Sequence, residues 1–112
     1  MPLLPEDAAQ WGGRPVARTV AEAAPRQRVV LTGIVVAVTD RRSRLLGGPV
    51  RMADARPYVD AVLDDGSGTI TLRWLGRAQV AGLSCGAAIT AEGTVLTDHH
   101  RLIVLNPFYS LL

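Results

Sequence analysis

Residues 58–75 read Tyr58-Val59-Asp60-Ala61-Val62-Leu63, then Asp64-Asp65-Gly66-Ser67-Gly68, then Thr69-Ile70-Thr71-Leu72-Arg73-Trp74-Leu75. Val59, Ala61 and Leu63 alternate with polar neighbours before the centre, and Ile70, Leu72 and Trp74 do so after it. Period two on either side of an Asp/Gly cluster predicts a β-hairpin with one buried face. Gly66 and Gly68 adopt positive φ without a Cβ clash, and the aspartate side chains can bond the turn's own amides. The pattern sends Ile70, Leu72 and Trp74 inward with Val59, Ala61 and Leu63. Tyr58, Asp60, Val62, Thr71, Arg73 and Leu75 then face out.

Upstream, Arg28 to Thr39 forms a long strand, apolar on both faces, with Gly33 in its middle. An interior glycine marks a bend, so the two halves can pair with different neighbours and coil a small sheet on itself. Residues 40–57 connect this strand to the hairpin and hold five arginines against two aspartates. A connection of that length is either functional or a solvated loop. Thr19-Val20-Ala21-Glu22 reads as a capping box, with Thr19 as N-cap, and Pro25 limits the helix to one or two turns. Val16, Val20 and Ala23 would plug one end of the fold. Residues 1–25 form a flexible arm carrying this capped turn, and Trp11 within it is expected to fold back on the body.

Downstream, Ala78, Val80 and Leu83 anchor a short helix across the open end. Ala88 to Thr97 and Arg101 to Leu105 make a second hairpin around Asp98-His99-His100. Asn106-Pro107 stops the last strand, and Phe108, Tyr109, Leu111 and Leu112 form an apolar tail that should pack on the domain.

A chain of 112 residues, nearly half of them apolar, predicts one folded domain. No stretch approaches the roughly 20 apolar residues of a membrane span. The N-terminus lacks the basic and apolar regions of a signal peptide, so no membrane association and a cytoplasmic location are expected. The net charge is only +2, yet all 12 basic residues are arginine. A GC-rich genome produces that bias, and arginine also stacks on bases and grips phosphate in bidentate fashion.

Chemistry of the catalytic kind finds no constellation. Adjacent His99 and His100 in a turn rarely ligate one metal ion, and no cysteine or carboxylate pattern completes a site. Cys85 reads as a buried structural thiol rather than a nucleophile. Ser67-Gly68 lacks the setting of a nucleophile elbow, and Gly66-x-Gly68 fits no nucleotide fingerprint. No enzyme activity, metal or cofactor is expected.

The segments Arg28-Val29-Val30-Leu31-Thr32-Gly33-Ile34-Val35 and Leu63-Asp64-Asp65-Gly66-Ser67-Gly68-Thr69-Ile70-Thr71-Leu72 carry a family resemblance. They are similar to the OB domains of anticodon-binding modules and of the wedge of branch-migration helicases. Arg73-Trp74-Leu75-Gly76-Arg77, with the ending Asn106-Pro107-Phe108-Tyr109-Ser110-Leu111-Leu112, resembles small stand-alone actinobacterial OB-fold nucleic-acid-binding proteins. The resemblance covers residues 26–112. It implies an all-β, five-stranded Greek-key OB-fold barrel, with a short N-terminal helical turn and a short helix between strands 3 and 4.

Such a barrel binds across strands 2 and 3, between two loops. The expected nucleic-acid contacts are therefore Arg41, Arg42, Arg44, Arg51 and Arg56 of the long connection. Tyr58, Thr71 and Arg73 on the face, and His99, His100 and Arg101 in the second hairpin, complete the set. Tyr58 and Arg73 are the only obvious stacking groups, and Asp60 repels phosphate. Affinity for single-stranded DNA or RNA should then be weak, sequence-tolerant and mostly electrostatic. The rival reading is an interaction module. In it the same face, or the apolar terminal segments with Trp11, hold a protein partner or make a homodimer.

Overall fold

The computed structural model describes residues 16–43 and 56–112. Trp11, Arg44 and Arg51 lie outside the described residues. The elements in chain order are a 3₁₀ turn at Val20–Glu22, β1 (Arg28–Ser43), β2 (Arg56–Asp64), β3 (Thr69–Leu75), β4 (Ala88–Asp98), β5 (Arg101–Leu105) and β6 (Phe108–Leu111). They form one six-stranded sheet in the order β1-β2-β3-β5-β4-β6, and β1 also pairs with β4, so five strands close into a ring.

β1 makes the closure possible. Its first half, Arg28 to Ile34, pairs antiparallel with β4, and its second half, Ile34 to Ser43, pairs antiparallel with β2. The change of partner falls beside Gly33, where an added Cβ would run into the backbone carbonyl of Asp64. Only glycine lets the two strands approach this closely. A bulge at Val36, between Val35 and Ala37, adds to the bend. β3 and β5 run parallel, and the other neighbours run antiparallel.

The hairpin faces are as the alternation predicts. Val59, Ala61, Leu63, Ile70, Leu72 and Trp74 are all buried, together with Val29, Leu31, Val35, Ile89, Ala91, Val95 and Val104. Trp74 is tied to the tail. Its indole N–H donates to the Pro107 carbonyl at 3.0 Å, and its ring meets Tyr109 edge-on with centroids 5.5 Å apart.

Five sequence expectations need correction. There is no helix between β3 and β4. Residues 76–87 are a chain of turns, because Gly76, Gly82 and Gly86 all take positive φ and break any helical run. Val80 is still buried and Leu83 still packs on the core. Among the described residues there are six strands, not five, since the apolar tail adds β6 along Ile89–Glu92 of β4. The connection between the first two strands is shorter than 40–57, because Asp40 to Ser43 extend β1 and pair with Arg56 to Val59 of β2. Cys85 is exposed rather than buried, with its Sγ 3.3 Å from the Val36 carbonyl that the bulge presents.

The fifth correction concerns the capping box. Thr19 caps no backbone amide; its hydroxyl donates to the Glu22 carboxylate at 2.8 Å. The turn between β2 and β3 caps the 3₁₀ turn instead. Asp65 Oδ2 accepts the Val20 amide at 2.8 Å, and Ser67 Oγ accepts the Ala21 amide at 3.0 Å. Val20 and Ala23 pack against the core, and Ala17 is buried through backbone bonds to Arg28 and Val30. Among the described residues no helix is long and apolar enough to cross a membrane.

Candidate nucleic-acid interface

The outward residues of β2 and β3 meet in register. Asp60 lies opposite Arg73, Tyr58 opposite Leu75, and Val62 opposite Thr71. β5 adds Leu105 beside Arg73 and Ile103 beside Thr71. The end of β4 brings Asp98 to the same place.

Arg73 is the hub. Its Nε and Nη2 donate to the two oxygens of Asp60 at 2.8 and 3.0 Å, and its Nη1 donates to Asp98 Oδ2 at 3.0 Å. Its Cζ stands 5.0 Å from the centre of the Tyr58 ring. The bidentate Asp60 pair, then Asp98, hold the guanidinium protonated more firmly than usual against the opposing effect of partial burial. In return, the hydrogen bond from Arg73 is the main cause that keeps the Asp98 carboxyl below its ordinary pKa. One cation thus faces two carboxylates, and this patch carries a net negative charge while His99 is neutral. The guanidinium also covers a face of Tyr58. Its planar outer side, backed by the ring, is a surface on which a base can stack, whereas its charge is spent.

The second hairpin turns in two residues. Asp98 pairs with Arg101, and His99 and His100 between them have φ of 48° and 67°. That is the geometry of a type I′ turn, which normally calls for Asn-Gly. His99 Nδ1 lies 3.0 Å from Asp98 Oδ1, and its ring is otherwise in solvent. His100 is exposed. Arg101 joins Thr71 in a shallow hollow of about 390 Å³, together with Val62, Leu102 and Val20.

The candidate residues therefore fall into two places on one face. Tyr58, Arg73 and the Asp98-His99 turn form a tight cluster, and Thr71 and Arg101 border the hollow beside it. Of the arginines in the connection, the ladder puts Arg41 opposite Tyr58, Arg42 opposite Pro57 and Arg56 opposite Ser43, next to the cluster. The sequence reading missed Asp98 as a partner of Arg73. The two are 25 positions apart and meet only through the parallel β3–β5 pairing. A second hollow, about 760 Å³, opens elsewhere, between Val38 and Asp40 of β1 and residues 77–83. It brings Arg77 near Asp40 but none of the predicted contact residues. No group of three His, Cys, Asp or Glu side chains able to hold a metal occurs among the described residues.

No protein-family model matches the chain, and no curated protein is detectably similar to it.

Proposed function

We propose that the five-stranded ring is an OB-fold barrel that binds single-stranded nucleic acid weakly and with little sequence preference. The ring order, with a bent first strand shared between β2 and β4, supports the fold reading. The observation that carries the function is the ladder from Arg41–Tyr58 to Ser43–Arg56. It continues the β2–β3 face into a segment where arginine outnumbers acid five to two over residues 40–57. Phosphate attraction is assigned to Arg41, Arg42, Arg44, Arg51 and Arg56. Arg73 takes the different role of a stacking plane laid over Tyr58, since Asp60 and Asp98 already neutralise it. His99, His100, Thr71 and Arg101 border the strand's path.

Fluorescence anisotropy with a labelled oligonucleotide of about a dozen bases tests this. The logarithm of the binding constant should fall linearly with the logarithm of salt, by roughly 0.7 per phosphate contacted. Replacing Arg41, Arg42 and Arg44 together by alanine should flatten the slope by about two. Tyr58→Ala should leave the slope unchanged and weaken binding by about 1–3 kcal/mol. Asp98→Asn should tighten binding at low salt, because it removes a carboxylate from the phosphate's path. A wild-type protein that fails to bind below about 100 μM at low salt overturns the reading.

A further inference from the structure

We propose that β6 is the edge through which two copies of this chain pair, about a two-fold axis, into one continuous sheet. The inference is independent of the nucleic-acid reading and rests on a different part of the molecule.

Among the described residues β6 pairs on one side only, with β4. The Leu112 amide donates to the Ala88 carbonyl at 2.9 Å. Backbone groups alternate along a strand, so those of Phe108, Ser110 and Leu112 face β4. The N–H and C=O of Tyr109 and Leu111 point the other way. Among the described residues no backbone group pairs with them there.

This edge lacks the usual protection of a charge, a bulge or an internal proline. None of the side chains of residues 107–112 is charged, so no side-chain charges oppose one another where two such edges meet. The side chains are also more apolar than solvent favours. Phe108 and Leu112 are each 73% exposed and Leu111 is 53% exposed.

The edge meets itself with the most hydrogen bonds in one register. Residues directly opposite in an antiparallel pair point to the same face. Phe108, Ser110 and Leu112 share the outer face, with Tyr109 and Leu111 on the inner one, so a two-fold axis must pass through a residue pair. An axis at Tyr109 sets Pro107 opposite Leu111 of the second copy, where an N–H is required. Proline has none, and the Pro107 carbonyl already accepts from Trp74.

An axis at Ser110 meets no such conflict. Tyr109 then pairs with Leu111 of the second copy, twice, and their outward N–H and C=O groups make four hydrogen bonds. Phe108 covers Leu112 of the second copy, also twice. The sheet already aligns Thr32, Thr90 and Ser110 in one cross-strand row, with the two threonine hydroxyls 2.9 Å apart. Across the axis this hydroxyl row runs on into its own copy. Five residues a side bury less than the roughly 800 Å² per partner of a standard interface. Association should therefore be weak.

Sedimentation equilibrium of the full chain from about 10 μM to about 1 mM reads the association. The mass should rise from one chain toward two and no further. Ser110→Lys sets two ammonium groups on the axis and should stay monomeric, with the melting temperature of the parent. In a Cys85→Ser background, mild oxidation should cross-link Ser110→Cys. The pair on the axis is non-hydrogen-bonded, with Cα atoms about 4.5 Å apart, which a disulfide can span. Phe108→Cys in the same background should not cross-link. Monomer at every concentration overturns the proposal, as does equal cross-linking of both cysteine variants. Protection of the Tyr109 and Leu111 amides from exchange in dilute monomer overturns it too, by assigning the edge to another segment of the same chain.

Discussion

At the scale of single residues, Trp74 and Gly33 hold the ring in opposite ways. Trp74 fills space: it is buried, edge-on to Tyr109, and its N–H is satisfied by the carbonyl of Pro107, 33 positions on. Trp74→Ala should cost about 3–5 kcal/mol in a denaturant titration, the range for a buried tryptophan. A midpoint within a small fraction of the parent's would mean that the core tolerates the void and that the tail is not anchored there. Gly33 works by leaving space empty. Its neighbour is the Asp64 carbonyl, which belongs to backbone and cannot swing aside as a side chain would.

At the scale of elements, the hairpin turn between β2 and β3 does two jobs. Asp64 Oδ1 accepts the Gly66 amide at 2.8 Å, and Asp65 Oδ1 accepts the Ser67 amide at 2.9 Å, so the turn is closed by its own side chains. The remaining Asp65 oxygen and Ser67 Oγ then cap the 3₁₀ turn 45 and 46 positions away. Thr19, at the nominal N-cap position, does none of this. Thr19→Ala should therefore change stability by less than about 0.5 kcal/mol, where a working N-cap would lose about 1. Asp65→Ala should cost about 1–2 kcal/mol by stranding the Val20 and Ser67 amides. Equal losses in thermal melts would restore Thr19 as the cap. The second hairpin is looser in its chemistry, for its two histidines adopt a backbone that glycine and asparagine enter more easily.

At the scale of the whole molecule, carboxylates join parts that are distant in sequence, so pH should act on global stability. Asp65 is held below its usual pKa although partial burial, the largest single influence, pushes it up. Hydrogen bonds from the Ser67 hydroxyl and the Val20, Ser67 and Gly68 amides together outweigh it. Asp98 is lowered chiefly by Arg73. Groups with lowered folded-state pKa bind fewer protons folded than unfolded, so their contribution is complete above the unfolded value of about 3.9. It disappears as pH falls through the folded values. Melting temperature should thus hold steady from neutral pH to about 5 and drop below about 4. Asp65→Asn should flatten part of that drop, and an unchanged profile would remove the clamp from the account.

Several features were legible along the chain because they are local. Alternation at period two sorted Val59, Ala61, Leu63, Ile70, Leu72 and Trp74 from Tyr58, Asp60, Thr71 and Arg73. A lone glycine in a long β-branched run located the change of partner in β1, and the Asp/Gly cluster located the tight turn. What the tertiary structure decided depends on groups far apart in sequence. Thr19 and Glu22 have the spacing of a cap, but the amides they would serve lie nearer to Asp65 and Ser67 once the ring closes. Residues 76–87 have apolar spacing fit for a helix, yet three glycines at positive φ and the anchoring of Val80 and Leu83 draw them into turns. Tyr58 and Arg73 read along the chain as the obvious stacking groups, but the end of β4 brings Asp98 alongside Asp60, and the one guanidinium lies between two carboxylates. Spacing reports which way a side chain leaves its own strand. What it meets there depends on the strand pairing, which brings together residues of high sequence separation.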